Sequence, residues 1–184
     1  MLKKYKTPFL LFLTLLIIAI PLVEVSAHKV GKGGSESMGW IYKGTAHWSS
    51  QSTNYFDTGS TTWKNRFTNG VNKFKRENSS FNVKKVSAGS TQNFFEPYKA
   101  STATWVGRRT NYGVSNHHPT RWRIQFNSGK SANSWTTVGA HEIGHVFGLS
   151  DLYNSSNNKK LMYGYDNGSR TTQASDKRGF NYIY

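Results

Sequence analysis

His141-Glu142-Ile143-Gly144-His145-Val146-Phe147-Gly148-Leu149-Ser150-Asp151 is the stretch from which the rest of the chain can be organised. On a helix, residues four apart lie one turn apart on the same face, so His141 and His145 can offer two imidazole nitrogens to a single ion. Glu142 sits beside them, and from there a carboxylate can hold and deprotonate a water without itself entering the ligand set. The flanks make this an interior helix. Trp135, Val138, Ala140, Ile143, Val146, Phe147 and Leu149 leave almost no polar face, and a helix apolar all round is buried. Two imidazoles and a carboxylate in such a helix need partners, and a bound dication supplies one. The bland alternative, a surface helix with two solvated histidines, does not suit those flanks.

A closed metal site needs a third protein ligand. After His145 the chain has no further His and no Glu, leaving Asp151, Asp166 and Asp176 as carboxylates. Gly148 favours Asp151, because glycine can take φ > 0 without a steric penalty, end the helix in a left-handed turn and return the chain to the ion. Asp166 lies in the turn-like Asp166-Asn167-Gly168-Ser169, where its side chain is expected to accept backbone N–H groups.

The spacing H-E-x-x-H-x-x-G-x-x-D resembles the metzincin clan of zinc endopeptidases, whose third ligand is usually His and in snapalysin-like members is Asp. Leu161-Met162-Tyr163-Gly164 is similar to the Met-turn of matrixins, with Gly164 where they carry Pro. Asp176-Lys177-Arg178-Gly179-Phe180-Asn181-Tyr182-Ile183-Tyr184 is similar to their terminal helix. The resemblance covers roughly residues 124–184. It implies an α+β, two-lobed single domain: a twisted mixed sheet with an active-site helix over residues 28–150, and a smaller lobe over 151–184 with Met-turn and last helix. It also implies zinc on His141, His145 and Asp151, Glu142 as general base, Met162 beneath the metal, and a peptide substrate in the cleft between the lobes. Tyr163 follows Met162 as in matrixins. Gly164 stands where astacin-like enzymes carry a metal-reaching Tyr, so that device does not carry over. Two other readings stay open: an aspzincin-like peptidase with Asp166 as ligand, and a non-catalytic basic protein that adheres to anionic polymers.

Upstream, Met1 to Ala27 has Lys3, Lys4 and Lys6, an apolar run from Phe9 to Val23, and Val25-Ser26-Ala27, the pattern of a secretory signal peptide cleaved after Ala27. The expected product is a secreted, extracellular monomer of residues 28–184, long enough for one domain. Cleavage there leaves no room for a sizeable propeptide. The chain has no cysteine, so neither a disulfide nor a cysteine switch is expected. Removing Lys3, Lys4, Lys6 and Glu24 lowers the formal charge of +15 by only two, which points to anionic cell-wall or membrane polymers as non-specific partners. Lys and Arg are spread along the chain rather than clustered, which argues against specific nucleic-acid recognition.

The remaining elements follow from periodicity. Residues 28–39, rich in Gly, Ser and Lys, are expected to be a mobile N-terminus on which little depends. Trp40 to Ser50 suggests a first strand, with His47 structural. Trp63, Phe67, Val71 and Phe74 predict an amphipathic helix capped by Thr61 or Thr62. Strands are expected at Phe81 to Val86, at Thr102 to Arg108 and at Arg121 to Phe126, with His117-His118-Pro119 in a loop. In metzincins the strand before the zinc helix is the sheet edge that pairs with substrate, so the resemblance places Ile124 and Gln125, with Tyr163, among the substrate-binding residues. Ser134 or Thr136 can cap the zinc helix.

Overall fold

The computed structural model describes Lys29 and residues 31–184; the proposed signal peptide and its cleavage site lie outside the described residues. Among the described residues, seven strands and three α-helices form one small mixed α/β domain. The strands are β1 (Gly33–Ser35), β2 (Trp40–Tyr42), β3 (Ser52–Asp57), β4 (Asn82–Lys85), β5 (Phe94–Tyr98), β6 (Gly107–Ser115) and β7 (His118–Asn127). The helices are α1 (Thr61–Glu77), α2 (Trp135–Val146) and α3 (Ala174–Ile183). A five-stranded sheet runs in the order β4-β3-β5-β7-β6, parallel except for β6, which pairs antiparallel with β7.

The α1 periodicity has its expected result. Phe67, Val71 and Phe74 are buried, and Phe67 meets Phe95 of β5 and Phe126 of β7 at ring-centroid distances of 5.0 and 4.6 Å. Each fully buried ring of this kind contributes about 1.5–3 kcal/mol. The first helical residue follows Ser60, so Thr61 and Thr62 lie inside the helix rather than capping it. A second aromatic group, Phe74, Phe81, Phe147 and Phe180, joins the C-terminal ends of α1 and α2 to α3, with Phe81 and Phe147 only 4.4 Å apart.

Several expectations change. Residues 33–42 form a hairpin, β1 with β2, that packs on α3 and not in the main sheet. Only Trp40–Tyr42 of the predicted first strand is extended in a ladder. The N-terminal segment is also tied down: Lys29 N–H donates to Ile183 O, and the Glu36 carboxylate accepts the N–H groups of Tyr153 (2.6 Å) and Asn154 (3.2 Å) and the Asn157 side-chain amide (2.6 Å). Residues 102–105 are not strand, because the Asn127 side chain, which donates to Ala100 O and Trp105 O, holds them in a turn; β6 begins only at Gly107. His118 and Pro119 start β7. The two residues before them, Asn116 and His117, both have φ > 0 (47° and 65°), the signature of a tight type I′ hairpin turn. That hairpin moves the sheet edge outward to β6, and β7 lies between β5 and β6.

The end of α2 is fixed as the glycine suggested. Leu149 N–H donates to Gly144 O and Gly148 N–H to His145 O, the paired bonds of a Schellman motif, with Gly148 at φ +102°. A Cβ at Gly148 would meet His47 Cβ and Ile183 Cδ1, each at 2.9 Å. Gly148→Ala is therefore expected to cost about 1–3 kcal/mol from backbone strain and crowding. The check is the midpoint of urea unfolding; an unchanged midpoint would contradict it.

Candidate metal centre

Helix α2 begins at Ser134, whose hydroxyl accepts the Thr137 N–H at 3.2 Å. Two and three turns beyond that cap, His141 and His145 stand edge to face with ring centroids 4.6 Å apart. Each ring has its Nδ1 against a main-chain carbonyl: His141 donates to Leu161 O at 2.9 Å and His145 to Leu149 O at 2.7 Å. A carbonyl only accepts, so Nδ1 carries the hydrogen in both rings, and a neutral ring then presents a bare Nε2 lone pair. Those two Nε2 atoms face the same carboxylate oxygen, Asp151 Oδ1, at 3.0 and 3.4 Å.

Two lone pairs and an anion converging on one point repel one another unless a cation lies among them. Two ligands on corners of a zinc tetrahedron with bonds of about 2.0–2.1 Å lie about 3.3 Å apart, and the two observed separations bracket that value. The candidate ligand atoms of His141, His145 and Asp151 all fall within 4.8 Å of one another, so this group can hold a metal ion. Burial opposes ionisation of Asp151, but when a proton takes the cation's place on Nε2 the hydrogen bonds and charges of His141 and His145 outweigh it and hold the carboxyl far below its usual range.

The carbonyls that orient the imidazoles come from two separate devices. Leu149 O belongs to the Schellman turn. Leu161 O precedes Met162, which is fully buried with its sulfur under Gly144, where a Cβ would overlap it. The turn bearing Met162 is held from below by buried Asp176, whose carboxylate accepts the N–H groups of Leu161, Met162 and Gln173. Burial pushes the Asp176 carboxyl above its ordinary value, against those three hydrogen bonds. Thus the Asp176 segment fixes the carbonyl behind His141, one of the three residues that could hold a metal ion.

Glu142 is buried, and its Oε2 has no hydrogen-bond partner among the described residues. Burial pushes its carboxyl up to about 7; neighbouring Asp151 adds to this, while His141 and the Arg109 guanidinium oppose it. Arg109 projects from β6 and donates to Ala46 O at 3.3 Å. Burial lowers it to about 10, and Glu142 and Tyr184 pull the other way.

A cleft of about 710 Å3 opens over this group, with Gly107, Arg108 and Arg109 of β6 along one side and Tyr153, Tyr163 and Tyr165 along the other. Tyr163 thus lies where expected. Ile124 and Gln125 do not: both are buried in β7 and neither lines the cleft, because β6 occupies the edge position that had been expected for β7. Asp166 lines the cleft but stands apart from the His pair, with Oδ2 accepting the Asn133 N–H at 2.7 Å. Three contributors escaped the sequence reading. Arg109 sits beside Glu142, Tyr153 reaches Asp151, and Glu36 holds the segment after Asp151. None belongs to a local motif, and a single Arg in a strand or a Glu in a Gly-Ser stretch carries no signal of its partner. No protein-family model matches the chain, and no curated protein matches it significantly.

Proposed function

We propose that the chain is a secreted, monomeric zinc endopeptidase of metzincin type. The observation that carries this reading is the convergence of two Nε2 lone pairs and Asp151 Oδ1, with the buried, unpartnered carboxylate oxygen of Glu142 alongside. His141, His145 and Asp151 would hold the metal, and this set of two imidazoles and a carboxylate suits zinc. When bound, zinc supplies Lewis-acid polarisation of a peptide carbonyl and acidifies a water. Glu142 takes the proton from that water and delivers it to the departing amine; its raised pKa keeps both steps within reach near neutral pH. Arg109 holds a compensating positive charge near Glu142.

An extended peptide is the substrate class that suits the cleft. The outer edge of β6 has no strand partner among the described residues, and its first three residues line the cleft, so a peptide can add to the sheet there through main-chain hydrogen bonds. The aspzincin-like alternative loses support because Asp166 is bonded to Asn133 and lies outside the ligand cluster. Dialysis against a strong chelator should reduce hydrolysis of an unfolded protein by at least about 100-fold, and stoichiometric zinc should restore it. Undiminished cleavage by the chelated protein would remove the basis for the reading.

A further inference from the structure

Helices α1 and α2 cover one face of the five-stranded sheet; the other, on which Gln125 is buried but Lys84 and Arg121 are exposed, carries a set of cations. On β7, Arg121 and Arg123 point away from the buried Trp122 and Ile124. Both lie over the ring of Tyr112 on β6, with guanidinium carbons 4.6 and 5.4 Å from its centroid. Arg108, paired in register with Gln125, lies over Trp105 at 4.4 Å and donates to the Gln125 amide oxygen at 2.7 Å. Lys84 of β4 is exposed on the same face, by register through Asn54. Glu96 is 3.5 Å from Arg123; Lys84, Arg108 and Arg121 have no carboxylate at ion-pair distance among the described residues. Arg123 Nε is buried with no hydrogen-bond partner among them.

A guanidinium held over a ring is pre-positioned and loses little further freedom on binding an anion. Of the two charges gathered over Tyr112, Arg123 has Glu96 as a counter-anion at 3.5 Å, and Arg121 has none at ion-pair distance among the described residues. The cations reach from β4 to β6, four inter-strand steps or about 19 Å, which suits a chain of charges rather than one small ion. The rings beneath are already covered by guanidinium groups, so they do not form the open stacking platform that single-stranded nucleic acid uses. The half-buried Phe56 and Phe94 stack on each other at 5.3 Å and do not project as a membrane-inserting group would. Asn54 and Thr110 set uncharged hydrogen-bonding groups among the cations, as a hydroxyl-rich ligand needs.

We propose that this outer sheet face binds a carboxylated polysaccharide strand, read by charge complementarity through planar guanidinium-carboxylate pairs. The pair Arg121 and Arg123 stands outside the metal cleft, whose lining includes Arg108 but neither of these two, and binding there does not depend on the cleft's activity.

The test is titration of the full chain with polygalacturonate at low salt. Arg121→Gln/Arg123→Gln should weaken binding by at least about tenfold, whereas Lys177→Gln/Arg178→Gln, which removes the same charge from exposed positions on α3, should change it by less than about twofold. Tyr112→Leu keeps every charge but removes the ring under two guanidiniums, and should weaken binding several-fold. Equal losses in both double variants would reduce the effect to bulk charge and overturn the proposal. Tighter binding to oligothymidylate or to anionic vesicles than to polygalacturonate at equal charge would overturn it as well. Peptide hydrolysis should be the same in the arginine variant and the parent, so failure of one reading leaves the other testable.

Discussion

Asp151→Ala is expected to lower zinc affinity by at least about 100-fold, with hydrolysis falling alongside, whereas Asp166→Ala should leave metal binding intact. The difference follows from where the two carboxylates stand. Asp151 Oδ1 faces both Nε2 atoms, at 3.0 and 3.4 Å. Its removal leaves two neutral donors and takes away the only anion in the ligand set. Asp166 instead accepts the N–H of Asn133 just before α2, so its loss should appear as about 1 kcal/mol of stability. Asp151→His should retain zinc better than Asp151→Ala, although the longer imidazole displaces the ion. Zinc content after dialysis against graded chelator, measured beside peptide hydrolysis, separates these outcomes. If Asp151→Ala keeps its zinc while Asp166→Ala loses it, the metzincin reading gives way to the aspzincin-like one.

Glu142→Gln should lower hydrolysis by about 10²–10⁴-fold while zinc content stays that of the parent. The amide keeps the shape of the side chain but cannot accept a proton. A protein whose role is adhesion alone would be indifferent to this change, so equal cleavage by variant and parent rejects the catalytic reading. The pH profile adds a sign. Burial pushes the carboxyl up to about 7 in the metal-free protein, and a dication beside it favours the carboxylate, so in the loaded protein the base is lost only below that value. The rate should fall as pH drops through the acid limb; a rate that rises on acidification contradicts Glu142 as the base.

What the sequence disclosed was local. The α2 helix, its Gly148 turn and the grouping of His141, His145 and Asp151 could be read because they lie within eleven residues, and α1 because its apolar residues keep one face. Strand β5 passed unnoticed: Phe94 and Phe95 are adjacent, and Pro97 and Glu96 break any alternation, yet both neighbours in the sheet pair with it. The edge assignment failed for a similar reason. Asn116-His117 makes a type I′ turn without glycine, so nothing in the sequence announced that β6 and β7 are a hairpin and that β6 lies outside. The run Thr102 to Val106 has the composition of a strand, but a distant side chain, Asn127, bonds the Trp105 carbonyl within it and the Ala100 carbonyl just before it. The second side of the site depends on partners far apart in the chain. Arg109 is placed by sheet register, and no spacing rule reports that.

The hydrogen bond from Tyr153 N–H to Glu36 joins residues 117 positions apart, and it grips the chain two residues beyond Asp151. Closing so long a loop is a late event in folding, because its entropy cost must be met before the contact rewards it. The His pair, by contrast, is set as soon as α2 forms. On the metal-site reading, the site would be completed in two stages: a helical pair with its local turn early, and the anchoring of the segment after Asp151 late. The stiffness of the chain at Asp151 records whether Glu36 has found the segment that follows it.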